Sequence, residues 1–195
     1  MSPAYGRVRV VAESDRRPLV PNGVLGMLIF VFTEVMLFAG LISAFTIVRA
    51  GAVVWPPPGQ PRLPVENTAL NTAALLLSGV MLWRARSVFR PNPARALRPL
   101  LASVLLGAFF VAFQGAEWVA LVREGLTLTS SVLGSFFYLI VGLHALHAVV
   151  ALGVLVFVYD RLRRGWLSST RLAAAEVFWY FVVGIWPLLY LVVYL

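Results

Sequence analysis

His144 and His147 are the two histidines of a 195-residue chain. Three positions apart, they project from one face of any helix that contains them. Imidazole gains or loses a proton near neutral pH and is a common metal ligand, so the pair has two chemistries open to it. Both lie in the stretch Gly125–Tyr159, which contains no Asp, Glu, Lys or Arg. As a helix rising about 1.5 Å per residue, that stretch exceeds a hydrocarbon core of about 30 Å. Imidazoles are costly against lipid, so their face is predicted to look into protein. Glu34 lies about a dozen residues into an earlier apolar run, near the bilayer midplane, where an ionised carboxylate costs about 2.5–3.5 kcal/mol or more. It is therefore protonated, paired or water-linked. Two readings stand for it: a proton-relay or partner-contact residue, and a neutral acid hydrogen-bonded to a neighbouring helix. The histidines enter at similar depth, so a contact between Glu34 and one of them is an expectation of the sequence.

A metal or haem reading of the histidines is the weaker one. A closed metal site takes about four ligands, whereas the chain has no Cys and no third His, and Glu34 is the one nearby donor. A haem could take one His from each of two helices, but these two share one. Hydrogen-bonded packing histidines are the favoured alternative. Glu117, with Gln114 three residues earlier, is read first as structural, with water or a partner as the alternative. Glu176 is read as solvated or paired with an arginine such as Arg171. No glycine-rich phosphate loop, nucleophile motif or broken-helix repeat is present, and no catalytic site is visible on this chain.

The elements that must position these groups are membrane helices. Hydrophobic residues make up 61% of the chain and charged residues 12%, against about 25% charged in ordinary soluble domains. Mean hydropathy is +0.88. Long continuous apolar runs predict helices rather than barrel strands, which alternate over about ten residues. Five spans are predicted, at about 21–48, 65–85, 99–122, 131–158 and 173–195, in one membrane domain (21–195) after an N-terminal tail (1–20). The second run is near the lower length limit and is extended by Leu63–Val65 and by snorkelling of Arg84 and Arg86. The connections carry turn chemistry: the proline-rich WPPPGQPRLP, then RPNPARALRP, then DRLRRGWLSSTR, where Ser168, Ser169 or Thr170 can cap the last helix. Pro187 interrupts the last run. Trp55, Trp118, Trp166, Tyr190 and Tyr194 fall near the predicted interfaces as belt residues. Ser103 with Gly107, and Ser131 with Ser135, are small pairs suited to close packing.

The net charge of +8 would suggest nucleic acid in a soluble protein. Here every basic residue is Arg and nearly all lie between apolar runs, so no nucleic-acid partner is read. The tail holds four arginines, the second connection five and the fourth four, while the first holds two and the third one. By the positive-inside rule the N-terminus is cytoplasmic and the C-terminus outside. The tail itself lacks the pattern of a signal peptide.

The motifs also resemble a known family. FTEVMLFAGLISAF (Phe32–Phe45) is similar to the SEVMFFAGFFWAF helix of subunit III of the haem–copper oxidases. WPPPG (Trp55–Gly59), followed by LPVENTALNTAALLLSG, resembles that family's proline loop and next helix. FQGAEW (Phe113–Trp118) resembles its Q-x-x-E-[WY] helix end. EGLTLTSSVLGSFFYLIVGLHALHAVVALG (Glu124–Gly153) resembles its most specific signature, with a G-x-H-x-x-H core. The resemblance covers about residues 22–195, with all four motifs in order. The last helix departs from it: Tyr180 stands where the family usually has His, and Val183 where it has Asp.

The resemblance implies the five-helix form of a subunit III, without the first two helices of seven-helix members. It implies a non-catalytic subunit of a respiratory terminal oxidase, most simply a cytochrome c oxidase, stabilising the catalytic subunit and supporting its proton uptake during dioxygen reduction. Its implied partners are the catalytic subunit I and subunit II, membrane lipids and, as a further expectation, a larger respiratory supercomplex. Haem and copper belong to the partner, none to this chain, with phospholipid as a bound component. The implied location is the bacterial cytoplasmic (inner) membrane. Glu34, Gln114, Glu117, His144 and His147 match polar positions of the family motifs. The alternatives are a subunit III of a quinol oxidase or a homologue associated with nitric oxide reductase. From other classes, a stand-alone proton or small-solute carrier and a lipid-organising assembly protein remain open.

Overall fold

The computed structural model describes residues 20–55, 59, 61 and 63–195. The N-terminal tail and the middle of the proline loop, including Arg62, lie outside the described residues. Five helices follow one another: α1 (Asn22–Gly51), α2 (Val65–Phe89), α3 (Pro93–Arg123), α4 (Val132–Arg163) and α5 (Ser169–Leu189), the last continuing into a π-helical turn, Tyr190–Tyr194. All five are long and apolar enough to cross a membrane, and no strand occurs among the described residues. The chain is an all-α, multi-pass membrane protein.

The helix ends follow local chemistry. Asn92 caps α3, its side-chain oxygen accepting from Arg95 N at 3.3 Å, with Pro93 in the first turn where a missing N–H costs nothing. Ser131 caps α4 by accepting from Gly134 N at 3.0 Å, and Ser168 caps α5 by accepting from Arg171 N at 3.3 Å. Two glycines close the other ends. Gly125 (φ +94°) and Gly165 (φ +75°) take the left-handed conformation that a side chain resists. Around them Leu126 N donates to Leu121 O and Trp166 N to Arg161 O, each at 2.9 Å, the six-to-one bond of a Schellman motif.

Pro187 does not break α5. It withholds the N–H that would reach Val183 O, yet the helix runs on to Leu189 before widening into the π-helical turn. Trp186 and Leu189, on either side of the proline, are fully enclosed, and their packing holds the helical course.

α2 and α3 form a close antiparallel hairpin, α4 lies against α3, and α5 packs on α1, α2 and α4. The centre is aromatic, with Trp179, Trp186, Phe38, Phe110 and Phe137 almost wholly enclosed. α1 is the outlier. Only Phe38 and Phe45 on it are buried, while Ile29, Phe32, Met36 and Ile47 are each more than half exposed. α2 turns its polar residues inward. Thr68, Asn71, Thr72, Ser78 and Gly79 follow a helical stripe and are buried, while Leu70, Val80 and Trp83 face outward. That is the reverse of a water-facing helix and suits one whose outer surroundings are apolar.

Small residues do unequal work. A Cβ on Gly107 would lie 2.6 Å from the Trp179 ring, so the indole of α5 lies directly against the α3 backbone there. Ser131 and Ser135, by contrast, serve no close helix contact. Ser131 is the α4 cap, and the exposed Ser135 hydroxyl donates to Leu128 O at 2.7 Å, because the pair sits in the first turn of α4, where unpaired backbone groups compete for hydroxyls.

Candidate functional site

Three polar clusters lie inside the bundle. The first joins α1 to α4. His147 Nδ1 donates to Leu143 O at 2.8 Å, one turn back on α4. Its other nitrogen, Nε2, lies 3.1 Å from Glu34 Oε2, an oxygen with no aligned hydrogen-bond donor among the described residues. The contact is thus a charge or proton contact at short range rather than a well-directed hydrogen bond. A carbonyl only accepts, so Nδ1 carries a proton. Nε2 then either carries the second ring proton, opposite a carboxylate, or faces a protonated acid. An unprotonated nitrogen opposite an unprotonated oxygen would set two lone pairs against each other. Phe30, Phe38, Phe178 and Phe181 surround the His147 ring, with centroids 5.7–6.4 Å away.

His144 differs. It is fully buried and stacks on Trp186 with centroids 4.9 Å apart and an interplanar angle of 28°. Neither ring nitrogen has a protein partner. Of the two histidines read as hydrogen-bonded packing groups, only His147 bonds to protein; His144 is held by ring contacts, because Phe38, Phe110 and Trp186 enclose it. Beside it is a cavity of about 180 Å³, mostly apolar, that Gln114 and Trp118 also line.

The second cluster ties α2, α3 and the C-terminal turn together. Glu117 Oε2 accepts from the Thr68 hydroxyl at 3.2 Å, while the same hydroxyl reaches Pro64 O at 2.8 Å. With a single proton it serves one at a time. Asn71 Nδ2 lies 3.3 Å from both Phe110 O and Gln114 Oε1, and Gln114 Nε2 donates to Tyr194 Oη at 3.1 Å. Tyr194 is thus an interior residue, not a belt residue, its ring packed against Phe137 and Trp186. Two indoles extend the seam: Trp186 donates to Thr72 at 2.9 Å and Trp179 to Ser78 at 3.1 Å.

The third cluster sits near the start of α5. Glu176 is buried, with Arg86 Nε 3.5 Å from its Oε2. Arg86 also donates to the Ser169 hydroxyl at 3.1 Å. The partner is Arg86 and not Arg171, because Arg86 continues the inward stripe of α2 whereas Arg171 points outward.

The structure therefore brings Glu34 and His147 together, joins Gln114 to Glu117 through α2, and leaves His144 between the two groups. Thr68, Asn71, Thr72 and Ser78 were not singled out from the sequence. Their signal is the helical recurrence of small polar residues on α2 facing indoles on α5. Among the described residues no group of three or more His, Cys, Asp or Glu could hold a metal ion.

Comparison with known proteins gives one answer. A family model described as "Cytochrome c oxidase subunit III" matches residues 10–195. The chain is 32% identical to cytochrome c oxidase subunit 3 of Syncerus caffer and of Felis catus, each match covering 93% of this chain and 73% of the relative. The protein of the same name from Pelomedusa subrufa matches at the same identity and coverage.

Proposed function

This chain belongs to the cytochrome c oxidase subunit III family, and on that premise we propose that it works as the non-catalytic third subunit of a haem–copper terminal oxidase, stabilising the catalytic subunit and supporting its proton uptake. Subunits I and II are its direct partners. Haem and copper reside in them, and bound phospholipid completes the assembly. The chain sits in a bacterial cytoplasmic membrane with its N-terminus on the cytoplasmic side, as the arginine distribution favours.

The observation that carries this reading is the Glu34–His147 pair, two titratable groups 3.1 Å apart inside a membrane bundle. Such groups are expensive in lipid and mark proton routes or protein contacts. The helix that bears Glu34 is also the one whose outer face is bare, which suits a neighbouring subunit packed along α1.

The test is a purification of the tagged chain in mild detergent followed by a reduced-minus-oxidised visible spectrum. Haem bands accompanying larger subunits are expected, and a chain without haem or partner in several detergents would overturn the reading. In the reconstituted oxidase, Glu34→Gln should leave the haem spectrum intact and lower the protons taken up per electron. An unchanged proton yield would reduce the role to assembly alone.

A further inference from the structure

The cavity beside His144 is a consequence of side-chain size. Ala145 and Ala148 of α4 line it from one side and Gly115 of α3 from the other, so small residues on both helices leave a space of about 180 Å³. The rings of Phe110, Trp118 and Trp186 bound the rest. A comparable volume of about 150 Å³ in an apolar core accommodates benzene, so the space is the size of one aromatic ring. It opens sideways, partway along α3 and α4, where Gly115 and Val149 are exposed on the outer surface. A Cβ built on Gly115 meets nothing within 4 Å, as expected at a mouth.

The lining is apolar except at a few atoms. His144 is fully buried, and neither of its ring nitrogens has a hydrogen-bond partner among the described residues; the Trp118 indole nitrogen is buried and unpartnered likewise. Buried polar groups are satisfied by some partner in the great majority of cases. Water answers these poorly. The space has room for several molecules, each needing two to four polar partners, and the apolar remainder of the lining supplies none. A neutral imidazole presents one N–H and one lone pair, and a hydroxyl both accepts and donates, so a hydroxyl meets the ring in either tautomer. A flat apolar body carrying one hydroxyl therefore matches the cavity, with the hydroxyl against His144 and the body between the aromatic walls.

We propose that this cavity is a binding site for a small phenol, a hydroxyl-bearing aromatic ring that enters from the membrane between α3 and α4. The site uses nothing of the Glu34–His147 contact, so it stands or falls apart from the role in an oxidase.

The experiment is fluorine NMR of the purified full chain in detergent, titrated with para-fluorophenol or with para-fluorotoluene, which matches it in shape and lacks the hydroxyl. Both should bind saturably, the phenol about tenfold more tightly, which is the effect of roughly one good hydrogen bond. His144→Phe keeps a ring and removes both nitrogens, and should bring the two ligands within about twofold of each other. Gly115→Leu adds a side chain at the mouth of the cavity, at a helical position that favours Leu over Gly, and should weaken both ligands together. Arg171→Gln, outside the cavity, should bind like the wild type. Equal affinity of the wild type for the two ligands would overturn the proposal, as would a hydroxyl preference that survives His144→Phe. Unchanged binding in Gly115→Leu would place the site elsewhere on the chain. Absence of saturable binding would also overturn it, and would assign the ring nitrogens of His144 to water.

Discussion

His147 Nε2 stands 3.1 Å from Glu34 Oε2, while the opposite ring nitrogen is fixed by Leu143 O. The ring is held from behind and its free edge is presented to the acid, so α1 and α4 meet through one polar pair. Removing one partner of such a pair is worse than removing both, because a lone charge or unpaired polar group is left inside. His147→Phe should therefore lower stability by about 3 kcal/mol, and the E34L/H147F chain should recover much of the loss. Thermal unfolding followed by intrinsic fluorescence would measure both. A double variant weaker than either single one would remove the coupling.

His144 makes the opposite prediction. Its ring is stacked on Trp186 and bonds to no protein group. His144→Phe keeps the aromatic contact and should change stability by less than about 1 kcal/mol. A large loss in the same unfolding assay would mean that the ring nitrogens are engaged across the adjoining cavity.

Arg86 and Arg171 separate the structure from the sequence reading. Arg86→Met leaves Glu176 buried without a counter-charge, at a cost of about 2–3 kcal/mol. Arg171→Gln should be silent, since that side chain is exposed. Equal effects of the two substitutions on the unfolding midpoint would contradict the arrangement at the start of α5.

Gly107→Ala tests the contact between α3 and α5. The added methyl meets the rigid Trp179 ring at 2.6 Å, and overpacking of this kind costs about 1–3 kcal/mol. The paired variant G107A/W179F, with a smaller ring, should regain part of it; no recovery would place the strain elsewhere.

Much of this was legible in the sequence because it depends on long-range composition. The five spans follow from apolar runs, and the meeting of Glu34 with a histidine follows from depth alone. The partner of Glu176 was not legible, because choosing between Arg86 and Arg171 requires the rotation of α2 about its own axis, which packing sets. The inward polar stripe of α2 was overlooked for a different reason. Thr68, Asn71, Thr72 and Ser78 carry no charge and match no motif, yet their recurrence every three to four residues is the pattern of a face. Tyr194 was misplaced because it was judged by its depth near the interface, whereas rotation about the helix axis sets it with Glu176 and Val183 on the buried face.

The reversed face of α2 has a consequence for how the chain enters the membrane. A segment whose Asn71 amide is satisfied by α3, while its hydroxyls fall back on carbonyls of their own helix, partitions less readily by itself, and α2 is the least hydropathic of the five spans. The short turn at Arg90–Asn92 places α3 immediately behind it, so the two are expected to insert together as a hairpin whose arginines never cross. Translation intermediates that stop after α2 should remain extractable from microsomal membranes, whereas those that include α3 should not. The polar seam that organises the finished bundle would then also set the order of its biogenesis.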